Sequence, residues 1–310
     1  ELVHLHKEER LSFKNVITFN LDEYYPMEPD SINSYVRFMK ELLLDQVDIL
    51  PENYHIPDGT LSKEEIADYC ANYEAKIEAL GGIDLQILGI GGNGHIGFNE
   101  SGSLQNSKTR LVALDHITRV AASGDFSGLS NTPRTAITLG VKKIMEAKQV
   151  ILMAWGEGKS NIIKASVEGT VTNQIPASFL QEHNNAVFVL DKEASSKLTR
   201  INTPWLVEKI VWTDRLTRKA VLGLALDLKK PILMLTDADY IENGMSDLLA
   251  DSGPAYDINI KIFNKLQNTI TGWPGGKPNA EDSNRPERAE PARKRVLIFS
   301  PHPDDDIISM

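Results

Sequence analysis

Apolar residues fall in two rhythms along the chain. Runs of strand length, rich in β-branched and aromatic side chains, recur at 16–19, 85–90, 110–114, 135–139, 150–154 and 186–190. Between them the spacing changes to that of helices. Apolar residues at 32, 35, 36, 39, 42 and 43 give one amphipathic helix over 31–44. Ile66, Tyr69, Cys70, Tyr73, Ile77 and Leu80 line a second, opened by the capping-box pattern Ser62-Lys-Glu-Glu65 and closed by Gly81-Gly82. A third runs over 161–168 and ends at Gly169; 2–9 reads as a short helix and 203–271 as mainly helical. Strands that read as continuous apolar runs, alternating with helices, predict an α/β fold: a mainly parallel sheet with helices on both faces.

The pattern stops at Gly272. Residues 272–294 are dense in Pro, Gly and charge and cannot bury a core, so they read as a linker. A new strand follows at 295–300, then Pro301-His302-Pro303-Asp304-Asp305-Asp306, a histidine and carboxylates with the elements of a site for a hard or borderline metal. The chain thus divides into a domain over 1–271, a linker over 272–294 and the first strand of a second α/β domain over 295–310. It opens on Glu-Leu-Val-His and stops within an apolar run, which predicts a piece of a longer polypeptide.

The densest candidate chemistry lies at 84–100, Asp-Leu-Gln-Ile-Leu-Gly-Ile-Gly-Gly-Asn-Gly-His-Ile-Gly-Phe-Asn-Glu. A strand feeds a loop with glycines at 89, 91, 92, 94 and 97, the place where α/β proteins bind ligands. Within it stand His95, a titratable base, and Glu100, a carboxylate. Gly89-x-Gly91-x-x-Gly94 imitates the dinucleotide fingerprint, with Asp115 near the spacing of a ribose-binding acid. That fingerprint needs a helix opening at its third glycine, and Ile96-Gly-Phe-Asn-Glu-Ser-Gly has no helical period. A second imitation, Trp155-Gly-Glu-Gly-Lys159-Ser160, lacks the first glycine of a nucleotide-binding P-loop because position 153 is Met. What remains is a glycine turn and Lys159 at a helix start, suited to one phosphate. Asp22 and Glu23 follow the strand at 16–19, where adjacent carboxylates are either solvated or, beside a glycine loop, candidates for proton transfer.

Composition narrows the picture. The chain is 41% hydrophobic and 25% charged, as for a globular protein, and no apolar run is long enough to span a bilayer. A net charge of −10 argues against a nucleic-acid partner but leaves small anions open, since local cations override the global field. The single cysteine, Cys70, lies on a helix's apolar face and reads as core; with no disulfide, the expected location is the cytoplasm. His4, His6, His55, His116 and His183 have no metal-ligand spacing.

Three segments, VITFNLDEY (16–24), GIGGNGHIGFNE (89–100) and WGEGKSNIIKASVEG (155–169), together resemble the glucosamine-6-phosphate deaminase family over roughly residues 1–200. The remainder resembles a fused variety, in which a zinc-dependent PIG-L-type sugar N-deacetylase domain follows. The resemblance implies a Rossmann-like three-layer deaminase/isomerase scaffold, whose first strand and phosphate loop would precede residue 1. It implies conversion of glucosamine 6-phosphate and water to fructose 6-phosphate and ammonia, without a cofactor. Asp22 would move the C2 proton, His95 would open the sugar ring with Glu100 orienting it, and Lys159 would hold the phosphate. Glu23, Gly91, Gly92 and Gly94 would complete the substrate site. Asn93, counted with the catalytic group, stands where the family's well-known members carry aspartate, and Gly124 lies near a position where the family has a phosphate-contacting arginine. In the second domain His302 and Asp305 would bind zinc and Asp304 would act as base. The implied partner is a phosphorylated amino sugar, with no membrane or nucleic acid, and the family tends toward homo-oligomers. Two readings compete: a sugar-phosphate-binding module without catalysis, and a 6-phosphogluconolactonase-like hydrolase, whose Gly-His continuation differs from Ile96–Glu100.

Overall fold

A computed structural model describes residues 1–267 and divides the chain into two compact units, Glu1–Ile210 and Val211 onward. The boundary falls inside the 1–271 stretch that the sequence suggests is one domain. The linker at 272–294 and the strand at 295–300, with His302, Asp304 and Asp305, lie outside the described residues.

The first unit runs α1 (Leu2–Glu9), β1 (Thr18–Phe19), β2 (Asp22–Tyr25), α2 (Tyr35–Leu42), β3 (Tyr54–His55), α3 (Ile66–Ala79), β4 (Leu85–Leu88), β5 (Arg110–Ala113), α4 (His116–Ala122), β6 (Thr135–Thr138), α5 (Val141–Met145), β7 (Gln149–Ala154), α6 (Ser160–Glu168), β8 (Ala186–Leu190) and α7 (Thr199–Asn202). The strands form three groups: parallel β1–β3, parallel β4–β7–β8, and antiparallel β2–β6–β5. This is the mixed α/β architecture the pattern predicts, with parallel pairing in the groups that hold β4, β7 and β8. Two local readings change. Val16 and Ile17 are exposed and the strand there is only two residues long. Asp22 and Glu23 do not trail off into a loop but open a second strand, paired with β6 so that Asp22 faces Thr138.

The core shows why β4, β7 and β8 pair. Leu88, Val150, Leu152 and Ala154 are buried against Tyr73 and Ile77 of α3, Ile144 of α5 and Ile163 of α6. Strand residues alternate between faces, and among the described residues the opposite face is open. Leu85 and Ile87 are 47% and 48% exposed, and Val187 and Val189 are exposed beside them. The continuous apolar runs predict cover on both faces, and the described helices supply it on one. Glu65 accepts hydrogen bonds from the amide and hydroxyl of Ser62 (3.0 and 2.6 Å), and Gly81 and Gly82 end α3 at φ 91° and 85°. Cys70 is buried with Tyr25, Ile66 and Ile137, and loss of hydration pushes its thiol up to about 11, which makes it inert packing.

The second unit contains α8 (Asp214–Leu228), α9 (Asp237–Glu242), α10 (Ser246–Ser252) and α11 (Ala255–Gln267). A reciprocal Thr236–Asp239 capping box starts α9. The buried Tyr240 hydroxyl donates to Asn259 Oδ1 at 2.8 Å, and the Asn259 amide donates to the Leu235 carbonyl at 2.8 Å. The helical reading of this stretch holds. Among the described residues no helix is long and apolar enough to cross a membrane.

One-sided packing has a direct consequence. Leu88→Ala should cost about 2–5 kcal/mol in denaturant unfolding, as for a core cavity, and Leu85→Ala, on the same strand but the open face, less than about 1 kcal/mol. Equal losses would show that both faces are packed.

Candidate active site

The loop after β4 closes on itself through its backbone. The Gly91 amide donates to the His95 carbonyl (3.0 Å) and the Gly94 amide to the Gly91 carbonyl (3.0 Å), while the Gly94 carbonyl accepts from Ala177 (2.9 Å). No helix opens at Gly94, so the loop is not a dinucleotide site. The imidazole of His95 lies directly over Gly91: a Cβ there would come within 2.2–2.4 Å of the ring atoms. Gly91 and Gly94, read from the sequence as substrate-binding, are spent on shaping the turn. Gly92 makes no hydrogen bond among the described residues and leaves its amide free.

Glu100 organises the side chains. Its Oε2 accepts from Asn93 Nδ2 at 2.8 Å and lies 3.2 Å from His95 Nδ1; its Oε1 accepts from the Asp115 amide at 3.1 Å. Thr118, buried on α4, lies beside it and helps to stabilise its charge. Burial pushes this carboxyl up, but the hydrogen bonds from His95, Thr118 and Asn93 and the charge of His95 outweigh it and hold the group at about 2. Glu100 is therefore an ionised acceptor.

That fixes the imidazole. Thr118 Oγ1 is 3.2 Å from His95 Nδ1. An ionised carboxylate offers only lone pairs, so Nδ1, 3.2 Å from Glu100 Oε2, carries the proton that lies between them. The network assigns the proton of neutral His95 to Nδ1 and leaves a lone pair on Nε2. Asn93 uses both ends of its amide: Oδ1 accepts from the His95 amide (3.2 Å) while Nδ2 holds Glu100. An aspartate could make the first bond but not the second.

Asp22 approaches the same loop from β2. Its partner across the strand pair, Thr138, accepts from the Phe98 amide at 3.0 Å. Gly97 has φ 56°, and a Cβ on it would stand 3.0 Å from Thr138 Oγ1 and 3.4 Å from Asp22 Oδ2. The missing side chain is what lets the carboxylate lie against the loop. Loss of hydration, and secondarily the charge of Glu23, push the Asp22 carboxyl up to about 7.

Glu23 points the other way, as alternation in a strand requires. It is fully buried and accepts from Ser34 Oγ (2.8 Å), the Val36 amide (3.2 Å) and its neighbour Tyr24 (2.9 Å), so it secures the start of α2. Burial raises its pKa against these hydrogen bonds. Where the resemblance implies a contact with substrate, the structure shows this carboxylate facing α2, engaged by Ser34, Val36 and Tyr24 inside the fold.

Lys159, at the start of α6, reaches back to the Ile90 carbonyl (2.8 Å), so its ammonium borders the glycine loop with further protons to donate. The Gly156 amide is already taken by Asp191 (2.9 and 3.1 Å). The chain's own carboxylate thus closes that amide to an anion, and Lys159 is the part of this turn that reaches the glycine loop. The structure thus brings Asp22, Asn93, His95, Glu100 and Lys159 to one loop and leaves Glu23 out. Sequence reasoning missed Thr118 and Thr138. Asp115, passed over as an imitation ribose acid, in fact caps α4 by accepting from the Ile117 amide at 2.9 Å, and it is that cap which signals the helix carrying Thr118. His183 bonds the Ala147 carbonyl (2.8 Å) and serves the fold. Among the described residues no cluster of three or more His, Cys, Asp or Glu side chains has the arrangement of a metal site.

Comparison with known proteins identifies the family. A family model described as glucosamine-6-phosphate isomerases/6-phosphogluconolactonase matches residues 1–189. A putative glucosamine-6-phosphate deaminase-like protein of Bacteroides thetaiotaomicron is 57% identical over 310 residues, 100% of this chain and 47% of that protein, so the chain spans about half of that relative's length. The glucosamine-6-phosphate deaminase of Halothermothrix orenii is 46% identical over 198 residues, 64% of this chain and 81% of that protein. Among solved structures, a monomeric glucosamine-6-phosphate deaminase superposes with a TM-score of 0.61 at 37% identity, covering 63% of this chain and 80% of its own. The 6-phosphogluconolactonase of Trypanosoma cruzi, at 23% identity and a TM-score of 0.50 over 64% of this chain and 77% of its own, shares the fold alone. The matched span is more than half of the chain and contains β2, the glycine loop and Lys159 alike: this chain belongs to the glucosamine-6-phosphate isomerase/6-phosphogluconolactonase family.

Proposed function

We propose that the loop at 89–100, with Asp22 and Lys159, is the catalytic centre of an isomerising deaminase that converts glucosamine 6-phosphate and water to fructose 6-phosphate and ammonia. The observation that carries this reading is a pair of carboxylates, Glu100 on the glycine loop and Asp22 set against it from β2 beside Gly97, held far apart in pKa, Asp22 at about 7 and Glu100 at about 2. An acid poised near neutrality is what moving a proton from C2 to C1 of the open sugar requires. An ionised partner is what keeps an imidazole in one orientation. Nε2 of His95, free of internal partners, exchanges a proton with the ring oxygen as the pyranose opens. Asp22 then takes the C2 proton and returns it at C1, and the resulting imine takes up water and releases ammonia. Lys159 holds the phosphate, with the Gly92 amide beside it. These steps are proton transfers and a hydrolysis that these side chains can serve, so we assign no metal or organic cofactor to them.

Deaminase relatives at 43–46% identity and the solved deaminase at 37% support this reading over the hydrolase, whose solved examples share only the fold. We place the protein in the cytoplasm on its buried lone thiol. For residues 295–310 we propose the opening of a zinc-dependent N-deacetylase domain. Its support is the motif Pro301–Asp306 and a donor set, imidazole with carboxylate, that suits zinc. His302 and Asp305 would hold the metal and Asp304 would be the base.

Ammonia release from glucosamine 6-phosphate by the full-length protein tests the main assignment. Asp22→Asn should lower kcat by roughly 10²–10⁴-fold with substrate binding retained; unchanged turnover would remove Asp22 from the mechanism. The same variant has a signature in stability. Folded Asp22 keeps its proton to about pH 7, whereas the unfolded chain releases it near 3.8, so this group costs stability progressively as pH rises between those values. Asp22→Asn should therefore be more stable than the parent at pH 8, by up to roughly 4 kcal/mol, and no more stable at pH 3–4.

Thr118 gives a third test. Thr118→Val should shift the ¹⁵N resonances of His95 away from a pure Nδ1–H tautomer and move the pH profile of kcat, with Thr118→Ser restoring both. A valine variant with parental imidazole shifts would show that Glu100 suffices without it.

A further inference from the structure

A cavity of about 380 Å³ opens between α2, β3 and α3, built from residues none of which belongs to the catalytic loop. Helix spacing makes its walls. Val36 and Lys40 lie one turn apart on α2, and Tyr69, Asn72, Tyr73 and Lys76 form one stripe of α3, with His55 on the strand between. Its volume is in the range of small-molecule sites.

The chemistry of the lining is one-sided. Two lysines and a histidine face the cavity, and no carboxylate lines it, in a chain whose net charge is −10. Lys76 Nζ is 3.3 Å from His55 Nδ1, and Lys40 makes no hydrogen bond or ion pair among the described residues. Lys142 and Lys143, in the same unit, do have a carboxylate partner in Glu146, and Lys148 has one in Asp84. The tyrosines present rings rather than hydroxyls. Tyr73 donates to the carbonyls of Asn20 (2.9 Å) and His55 (3.1 Å), and Tyr69 is engaged by Ile56 and Asp58. The result is two uncompensated ammonium groups over an apolar, aromatic wall. From this we infer that the cavity binds a small dianionic phosphate monoester with an apolar or planar body, its phosphate between Lys40 and Lys76 and its body against Tyr69 and Tyr73.

Burial, and secondarily Lys76, lower the pKa of His55. A dianion seated beside it reverses the second of these, so binding should be accompanied by proton uptake at neutral pH. The floor of the cavity also touches the strand that leads to Asp22. The Asn20 amide donates to the His55 carbonyl (2.8 Å) and the Asn20 carbonyl accepts from Tyr73, two residues before Asp22. An occupant would thus press on the segment that positions the proposed base, although binding itself does not depend on the deaminase reading.

Phenyl phosphate, titrated calorimetrically into the full-length protein, is the probe, with phenol as the uncharged control. Saturable binding of phenyl phosphate but not phenol is expected, weakened roughly tenfold by Lys40→Ala and by Lys76→Ala, as for loss of a charged hydrogen bond. Both lysines are at least partly exposed, so the variants should fold, and an unchanged melting curve confirms it. Lys159→Ala is the control for the catalytic loop and should leave this binding intact. No saturable binding, equal binding by the parent and both cavity variants, or loss of binding in Lys159→Ala would each overturn the proposal. None of these results bears on ammonia release, so a failure here is distinguishable from a failure of the deaminase assignment.

Discussion

Glu100 accepts hydrogen bonds from Asn93 and the Asp115 amide and lies 3.2 Å from His95 Nδ1, and the geometry of the site follows from satisfying it. Asn93 and His95 come from its own loop; the Asp115 amide and Thr118 come from the entrance and first turns of α4. A carboxylate this enclosed would be protonated without partners, because removing a charge from water costs far more than any single hydrogen bond returns. With these partners it stays ionised. Ionisation makes it acceptor-only, and that removes the ambiguity from its neighbours: the imidazole must carry its proton on Nδ1, and the Asn93 amide must turn its NH₂ inward. One satisfied charge thus sets the orientation of two side chains.

Asp22 is the counter-example within the same site. It lies in the same enclosed region, with Gly97 leaving room for it, but it has the charge of Glu23 as neighbour in place of donors. Its pKa therefore rises where that of Glu100 falls. The difference is produced by environment alone, since the two groups have nearly the same intrinsic acidity. In the function we propose, a base that must take up and return a proton cannot be saturated with donors, and an orienting anion must be. The placement of hydrogen-bond partners separates the two tasks.

The sequence made the periodic parts readable. Strands at 85–90, 135–139, 150–154 and 186–190 and the helix starting after Ser62 follow from apolar spacing and caps, and the glycine loop follows from its composition. What spacing could not supply was direction. Asp22 and Glu23 are indistinguishable as adjacent carboxylates until pairing with β6 decides that one faces Gly97 and the other the start of α2. Thr118 was hidden for a related reason. A seven-residue helix carries little period, and only the cap at Asp115 announces it. The open face of β4 and β8 is the reverse case, where the residues call for cover that the described helices do not give.

The turn at Gly156 shows why local motifs mislead about anions. Glycines, a lysine and a helix start are the elements of a phosphate site, yet here the Gly156 amide meets Asp191, which also accepts from the Ala194 amide at 2.7 Å. An internal carboxylate attached to the fold needs no binding entropy, so it outcompetes a dissolved anion for the same donor. Lys159 escapes that competition because its side chain leaves the turn and ends at the Ile90 carbonyl. A carbonyl takes one proton of an ammonium and none of its charge. The cation therefore arrives at the glycine loop already oriented and still unneutralised, and this, more than the glycine turn that carries it, is the ground on which we propose Lys159 for the phosphate.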